Sequence, residues 1–442
     1  MVRHVANMVL CITCLLLSPL CLAHTPKASA NKTKDTLPLD EIHTFVMAYS
    51  GIKANYVDPI SDKQLMLSAI RGLLFDLDPH SAYFSKEEAK AFDEQTSGAF
   101  EGIGVELEQG QENTLKIIAP IDDTPAQRAG LRSGDVIVAI DGKRISPSEA
   151  SSPLSGKAGT KVTLSILRQN VAAPITVTLQ REVIHIKSVR SNFLEPGYGY
   201  IRVSAFQSDS AIAFYNQLSH LKRHSASVPL RGLILDLRAN PGGLLSATVR
   251  IANILLDGGQ ILSMRGRNPS GNKTYSATGG DMIKNIPIVV LVDVGSASAS
   301  EVLAAALQDN HRAIVVGSQT FGKGSVQKMI PLDNGDVIKL TTDRYYTPCG
   351  RSIQAKGITP DFVLKPTAPA NDQSEALTFN EEALPGHLRA NMAPAQDTPP
   401  HQGSVLSGDA PIRAALAQLK KLPFPAPIAK AQCAQDDTRT VH

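Results

Sequence analysis

The stretch that decides the fold runs from Ile286 to Glu301 and reads IPIVVLVDVGSASASE. Ile286 to Val292 is an apolar run with no alternation, the pattern of a strand covered on both faces. A Gly/Ser corner follows, and Ala299 to Leu307 then takes up helical composition. Outward from this unit the same alternation recurs: Gly199 to Val203, Ala211 to His220, Gly232 to Leu237, Leu244 to Leu256, and Ala313 to Val316. Alternating strands and helices specify an α/β core with a mostly parallel sheet.

Ser298 stands at the strand-to-helix corner. Ser298-x-x-Glu301 is a capping box, which requires no reactivity. The same position suits a nucleophile, because the hydroxyl is presented at the strand's C-terminal end. The N–H of Ala299 then faces the place where an oxyanion would form. A base is needed, and Lys323 offers one on a loop between Gly322 and Gly324, 25 residues further on.

Gly317 to Lys323 also fits the G-x-x-x-x-G-K pattern of a phosphate-binding loop. Gly324 replaces the Ser or Thr that would hold magnesium, and Ser325 to Pro331 is strand-like where that loop must open a helix. The lysine is better read as a base, which sets an energetic demand. A free lysine is neutral in only about one molecule in 2,500 at pH 7. Bringing its pKa to about 8 costs about 3 kcal/mol of ammonium desolvation. Gly322 and Gly324 permit close packing around it, and Gln327 offers a neutral amide to orient the amine. A second oxyanion donor is sought in Leu235 to Gly243 (LDLRANPGG), a strand running into a glycine turn, at Gly242 or Gly243. His80, after Asp78-Pro79, reads as a loop-packing residue. A Ser-His pair using His311 is the rival catalytic reading.

At 442 residues, two or three domains are expected. The 44 basic and 41 acidic residues nearly balance, with no basic block and no Trp, which argues against a nucleic-acid partner. Arg3 and His4 precede the apolar run Val9 to Leu22. Residues 1–23 therefore read as a cleaved secretory signal, with cleavage as late as residue 30 as an option and an uncleaved anchor as the alternative. Beyond the signal only Cys349 and Cys433 remain, too few for a disulfide framework or a zinc site, so the core is expected to hold the chain together and no metal or other cofactor is implied. Residues 31–97 read as helical and 98–184 as short strands; 185–365 form the α/β core, 366–405 a flexible Pro/Ala-rich linker, and 406–442 a helix and tail.

Within 98–184, Gly102-Ile103-Gly104-Val105 makes a glycine turn whose successive N–H groups can cradle an anion. Ala129 to Gly142 (AGLRSGDVIVAIDG) adds an alternating strand and an Asp-Gly hairpin turn. Together they resemble a PDZ domain, which implies that Gly102, Ile103, Gly104 and Val105 hold a peptide's C-terminal carboxylate while the peptide adds to the sheet edge.

Gly295 to Glu301, Gln308-Asp309, Thr320 to Gln327, Tyr345 to Pro348 and Gly357 to Asp361 resemble the carboxy-terminal processing peptidases, the tail-specific serine peptidase family. The likeness covers about residues 39–365, and the Ala410 helix besides. It implies a multidomain α/β fold: a crotonase- or ClpP-like peptidase core, an inserted PDZ domain and N-terminal helices. It also implies Ser298 as nucleophile, Lys323 as general base, Gln327 as its positioner, and Ala299 N–H with Gly242 or Gly243 as oxyanion hole. Asp309 matches an acidic residue of the family and is expected to play a supporting role. Cys349 and Asp293 depart from the family, where a small polar residue and Asn are common. The expected partners are proteins with unstructured C-termini; an adaptor and a homodimer are open, and the PDZ domain is expected to gate activity. The expected function is endopeptidase processing in the periplasm, against the alternative of a catalytically silent PDZ scaffold.

Overall fold

The computed structural model describes residues 37–109, 115–144, 151–171, 173–224, 228–364, 380–390, 401–402 and 410–423. The signal segment, Cys433 and most of the 366–405 stretch lie outside these residues. The chain divides into two compact units, residues 1–66 and 67–442. In the first, α1 (Leu39–Asn55) buries none of its residues. Ile42, Phe45, Val46, Met47 and Ile52 are all exposed. Lys53 pairs with Asp62, which opens α2 (Asp62–Phe75), at 2.5 Å.

The larger unit begins with a departure from the helical expectation. β1 (Ala82–Phe84) precedes α3 (Lys86–Ser97), whose N-terminus is closed by a full Ser85/Glu88 capping box. β2 (Ala99–Gly102) leads into a five-stranded antiparallel sheet: β3 (Val105–Gln109), β4 (Leu115–Pro120), β5 (Val136–Ile140), β6 (Lys161–Leu167) and β7 (Ile175–Gln180), in that spatial order. Short helices α4 (Pro125–Arg128) and α5 (Ser151–Leu154) complete it. Ile103, Ile117, Leu131, Ile137, Leu164 and Ile166 form its separate core. Asp135 of the Gly-Asp signature is buried and takes both Arg168 Nε and Nη2 at 2.8 Å. β8 (Glu182–His185) returns to pair with β2, so the domain's entry and exit run side by side.

The main core is built on β9 (Val189–Glu195), β10 (Tyr198–Val203), α6 (Ser210–His224), β11 (Gly232–Asp236), α7 (Leu245–Leu255), β12 (Gln260–Gly266), β13 (Lys273–Ser276), β14 (Ile288–Val292), α8 (Ala299–Asp309), β15 (Ala313–Gly317), β16 (Ser325–Pro331), β17 (Val337–Tyr346), β18 (Phe362–Val363), β19 (His401–Gln402) and α9 (Ala410–Leu419). Seven strands form one sheet in the order β19-β18-β15-β14-β11-β10-β9, parallel except at β9. The strand period of two sorts its residues. Leu233, Leu235, Ile288, Val290 and Val292 join the core shared with α6, α7 and α8. Ile234, Val289 and Leu291 face the other way, against Ala415, Leu416 and Leu419 of α9. Each such aliphatic side chain contributes about 1.5–3 kcal/mol through burial. A second sheet joins β1, β17, β12 and β13, with β16 also on β17. Among the described residues no helix is long and apolar enough to cross a membrane.

Candidate active site

The parallel strands β11, β14 and β15 lie side by side, so their C-terminal ends open on one edge, where ligands of open α/β sheets bind. β11 delivers the Arg238 to Gly243 turn, β14 the Ser298 corner, and β15 the loop carrying Lys323.

Ser298 is half-buried and has φ +54° and ψ −113°, a region that a non-glycine residue occupies at a cost of about 1–3 kcal/mol. Glu301 holds it there. Its fully buried carboxylate accepts Ser298 N–H at 2.8 Å, Lys323 N–H at 2.9 Å, Gly322 N–H at 2.7 Å and Thr320 Oγ1–H at 2.5 Å. The Ser298 and Lys323 amides share a single oxygen, Oε2. Burial pushes the carboxyl's pKa up to about 7, and the four donors oppose that rise. Sequence reading saw Glu301 as a helix cap and missed that it joins the two loops; its bonds to Gly322 and Lys323 span 21 and 22 positions and leave no local signal.

The Lys323 amine makes no ion pair with a described residue. Burial pulls its pKa down, assisted by the nearby Lys339 charge, against Glu381, Asp78 and Glu301, which act to raise it. No hydrogen bond joins this amine to the Ser298 hydroxyl or to Gln327. The Gln327 amide instead reaches Ser325 Oγ at 3.0 Å and Thr341 Oγ1 at 3.2 Å. Ser325 and Gln327 share one face of β16 at strand spacing, which explains that choice.

The glycine turn is fastened from several sides. Asn240 is fully buried; its Nδ2 donates to Val203 O and its carbonyl accepts Ala297 N–H and Ser300 Oγ–H. Its Oδ1 accepts Gly242 N–H at 2.9 Å. A Cβ on Gly242 would stand 2.9 Å from Ser298 Cβ and 3.1 Å from Ala299 N, so only glycine permits this approach. Gly242 C=O takes Phe206 N–H, and the trans peptide turns Gly243 N–H to the opposite side. Neither Gly243 N–H nor Ala299 N–H donates to a described residue. Asp293 Oδ1 accepts Ala239 N–H at 2.8 Å and Gly295 N–H at 3.0 Å. An asparagine oxygen would serve equally, which accounts for the Asp/Asn exchange.

Asp309 closes the far end of α8, accepting Arg351 Nη2–H and, at 3.0 Å, Cys349 N–H. His311 is exposed beyond that helix end, about 16 Å of helix away from Ser298. His80 Nε2 lies 2.8 Å from Glu381 Oε2 and makes no hydrogen bond to Ser298. Cys349 is disulfide-bonded.

The PDZ turn is likewise open. Gly104 has φ +79°, and its missing side chain admits Thr124, whose Cβ would lie 2.4 Å from a Cβ there. Carbonyls of Ile103 and Gly104 are taken by Ala126 N–H and Ile121 N–H. Their own N–H groups donate to no described residue, and β3, which follows them, is the sheet's edge strand.

The Peptidase family S41 model matches residues 197–364, a PDZ domain model residues 116–168, and the activating protease CtpB N-terminal domain model residues 21–88. The carboxy-terminal-processing protease of Bartonella bacilliformis is 40% identical over 344 residues, covering 77% of this chain and 79% of that protein. Carboxy-terminal processing protease CtpA of Bacillus subtilis is 35% identical over 317 residues, covering 71% of this chain and 66% of that protein. The solved photosystem II D1 C-terminal processing protease is 30% identical, covers 73% of this chain and 93% of its own, and gives a TM-score of 0.43. The chain is a multidomain α/β serine peptidase with an inserted PDZ domain. It belongs to peptidase family S41, among the carboxy-terminal processing proteases.

Proposed function

We propose that Ser298 attacks the scissile carbonyl while neutral Lys323 takes its proton, and that Ala299 N–H and Gly243 N–H receive the oxyanion. The observation that carries this reading is the single Glu301 oxygen shared by the Ser298 and Lys323 amides, beside an amine whose pKa burial lowers. Gly243 is assigned the donor's role because Gly242 N–H is spent on Asn240, while Gly242 supplies the space. Gln327 orients the amine in a step that requires its amide to leave Ser325 and Thr341. Asp309 supports the site by tying α8 to the Cys349–Arg351 turn.

Substrates are proteins with unstructured C-termini, whose carboxylate docks on the open amides of Ile103 and Gly104 while the adjoining residues extend along β3. The leading segment directs the protein to the periplasm, and the substrates are envelope proteins; the disulfide at Cys349 supports an oxidising compartment. The apolar residues exposed along α1 support a homodimer, and an adaptor would act by presenting substrates to the PDZ domain.

The test uses a substrate with an unfolded C-terminus and the full chain with Lys323→Ala or Ser298→Ala. Loss of cleavage in both is expected, with peptide binding retained. Undiminished cleavage by Lys323→Ala would refute the base. Peptide binding by a wild-type chain that never cleaves would favour the silent scaffold.

A further inference from the structure

Residues 380–390 were expected to be part of a featureless linker, yet they form a 3-10 turn, Glu381–Ala383, seated beside the Lys323 loop. Glu381 is 0% exposed, in a stretch whose composition predicted solvent. Its N–H donates to Phe321 O at 3.0 Å, two residues before Lys323. Its Oε1 accepts Gln354 Nε2–H at 2.7 Å. Gln354 is itself fully buried, and its Oε1 accepts Gly324 N–H at 3.0 Å, one residue after Lys323. Gln354 Nε2 donates also to Leu388 O at 3.1 Å, so the segment grips this amide twice. His80 Nε2 lies 2.8 and 3.0 Å from the two Glu381 oxygens, fixing the carboxylate from the opposite end of the sequence.

We propose that residues 380–390 act as a clasp on the loop bearing the general base, with Glu381 as the positioning residue that holds both flanks of Lys323. On one flank the contact is direct, through Phe321; on the other it passes through Gln354. A buried carboxylate with two side-chain partners, Gln354 and His80, is costly to withdraw, because each partner would be left unsatisfied. A removable plug would not be anchored in this way. Nor does the segment need to touch substrate: the argument concerns where the lysine backbone sits. The proposal rests on the reading of Lys323 as base.

The experiment compares the full chain with Glu381→Gln, Glu381→Ala and Lys323→Ala, by cleavage across pH and by amide hydrogen exchange at residues 321–324. Glu381→Ala is expected to lower kcat about tenfold to a hundredfold with little change in KM, as for a displaced catalytic group. It should also speed exchange at Gly324, whose N–H rests on Gln354, more than at Gly322, whose N–H rests on Glu301. Glu381→Gln keeps an acceptor for Gln354 but removes a negative charge. It should lose less activity and shift the acid limb of kcat/KM to lower pH, because the Lys323 ammonium loses a favourable neighbour. The remaining charges around that amine are Lys339, Asp78 and Glu301, and they are unchanged.

Wild-type rate, pH profile and exchange in both Glu381 variants, with Lys323→Ala inactive, would overturn the clasp and leave the base standing. A gain of activity in Glu381→Ala would overturn it too, making the segment an inhibitory cover. If Lys323→Ala cleaves normally, the base reading fails instead, and the exchange rates alone decide whether the clasp holds the loop.

Discussion

Two glycine turns in this molecule leave backbone N–H groups open under different mechanical support. In the proposed function, the Ile103–Gly104 turn offers open N–H groups to a carboxylate that exists before binding. The Gly242–Gly243 turn, with Ala299, would face a charge that exists only during reaction. The first rests on Thr124, two carbonyl contacts and an edge strand. The second is secured by buried Asn240, by Asp293, and by Asp236, which holds Arg238 Nη2 at 2.6 Å and Tyr200 Oη at 2.7 Å. Recognition tolerates a turn that adjusts to its ligand. Stabilising a transient oxyanion requires donors fixed in advance, since reorganisation would otherwise add to the barrier.

Mutations can break that contrast, and the most severe should be at the chemical groups themselves. Ser298→Ala and Lys323→Ala are each expected to lower kcat by a factor on the order of 10⁴ or more, measured by single-turnover cleavage. Gly242→Ala comes next. Its methyl would meet Ser298 Cβ at 2.9 Å in a backbone of φ +105°, and kcat should fall about 10² to 10³-fold with binding retained. Gly104→Ala should act oppositely, raising KM about tenfold for substrates with a free C-terminal carboxylate and leaving kcat nearly intact. Amidated peptides should be insensitive to that change.

The pH profile sharpens the assignment of the base. A Lys323 base would act when neutral, so kcat/KM should rise with pH and level off below the ordinary lysine value, because burial lowers its pKa. A profile still rising in parallel with a free amine near about pH 10.4 would contradict a shielded lysine. The smallest effect is expected for Asp293→Asn. Its Oδ1 contacts survive, so stability should change by less than about 0.5 kcal/mol in denaturant titration.

Legibility in the sequence followed the range of the contacts. The local geometry of the Ser298 corner and the PDZ turn was readable because strand, glycine corner and helix lie within a few residues, where periodicity and turn chemistry speak. The Lys323 loop could be told from a phosphate loop because Gly324 stands in place of the magnesium ligand and a strand follows where that loop must open a helix. Glu301 was half readable: its cap on Ser298 is local, whereas its bonds to Gly322 and Lys323 cross to another strand. Glu381 was not readable, because its partner His80 lies 301 positions away and no local pattern separates Glu381 from its neighbour Glu382. Gln327 was read as the positioner of the amine; in the structure its amide meets two hydroxyls on its own sheet, Ser325 and Thr341, which a chemical reason to touch the amine does not anticipate.

The β2–β8 ribbon pairs Ala99 with His185 and Gly102 with Glu182. Everything between those strands thus leaves and re-enters the body through one narrow socket. The reading head can be exchanged without cutting the catalytic frame, provided that the replacement begins and ends at neighbouring points.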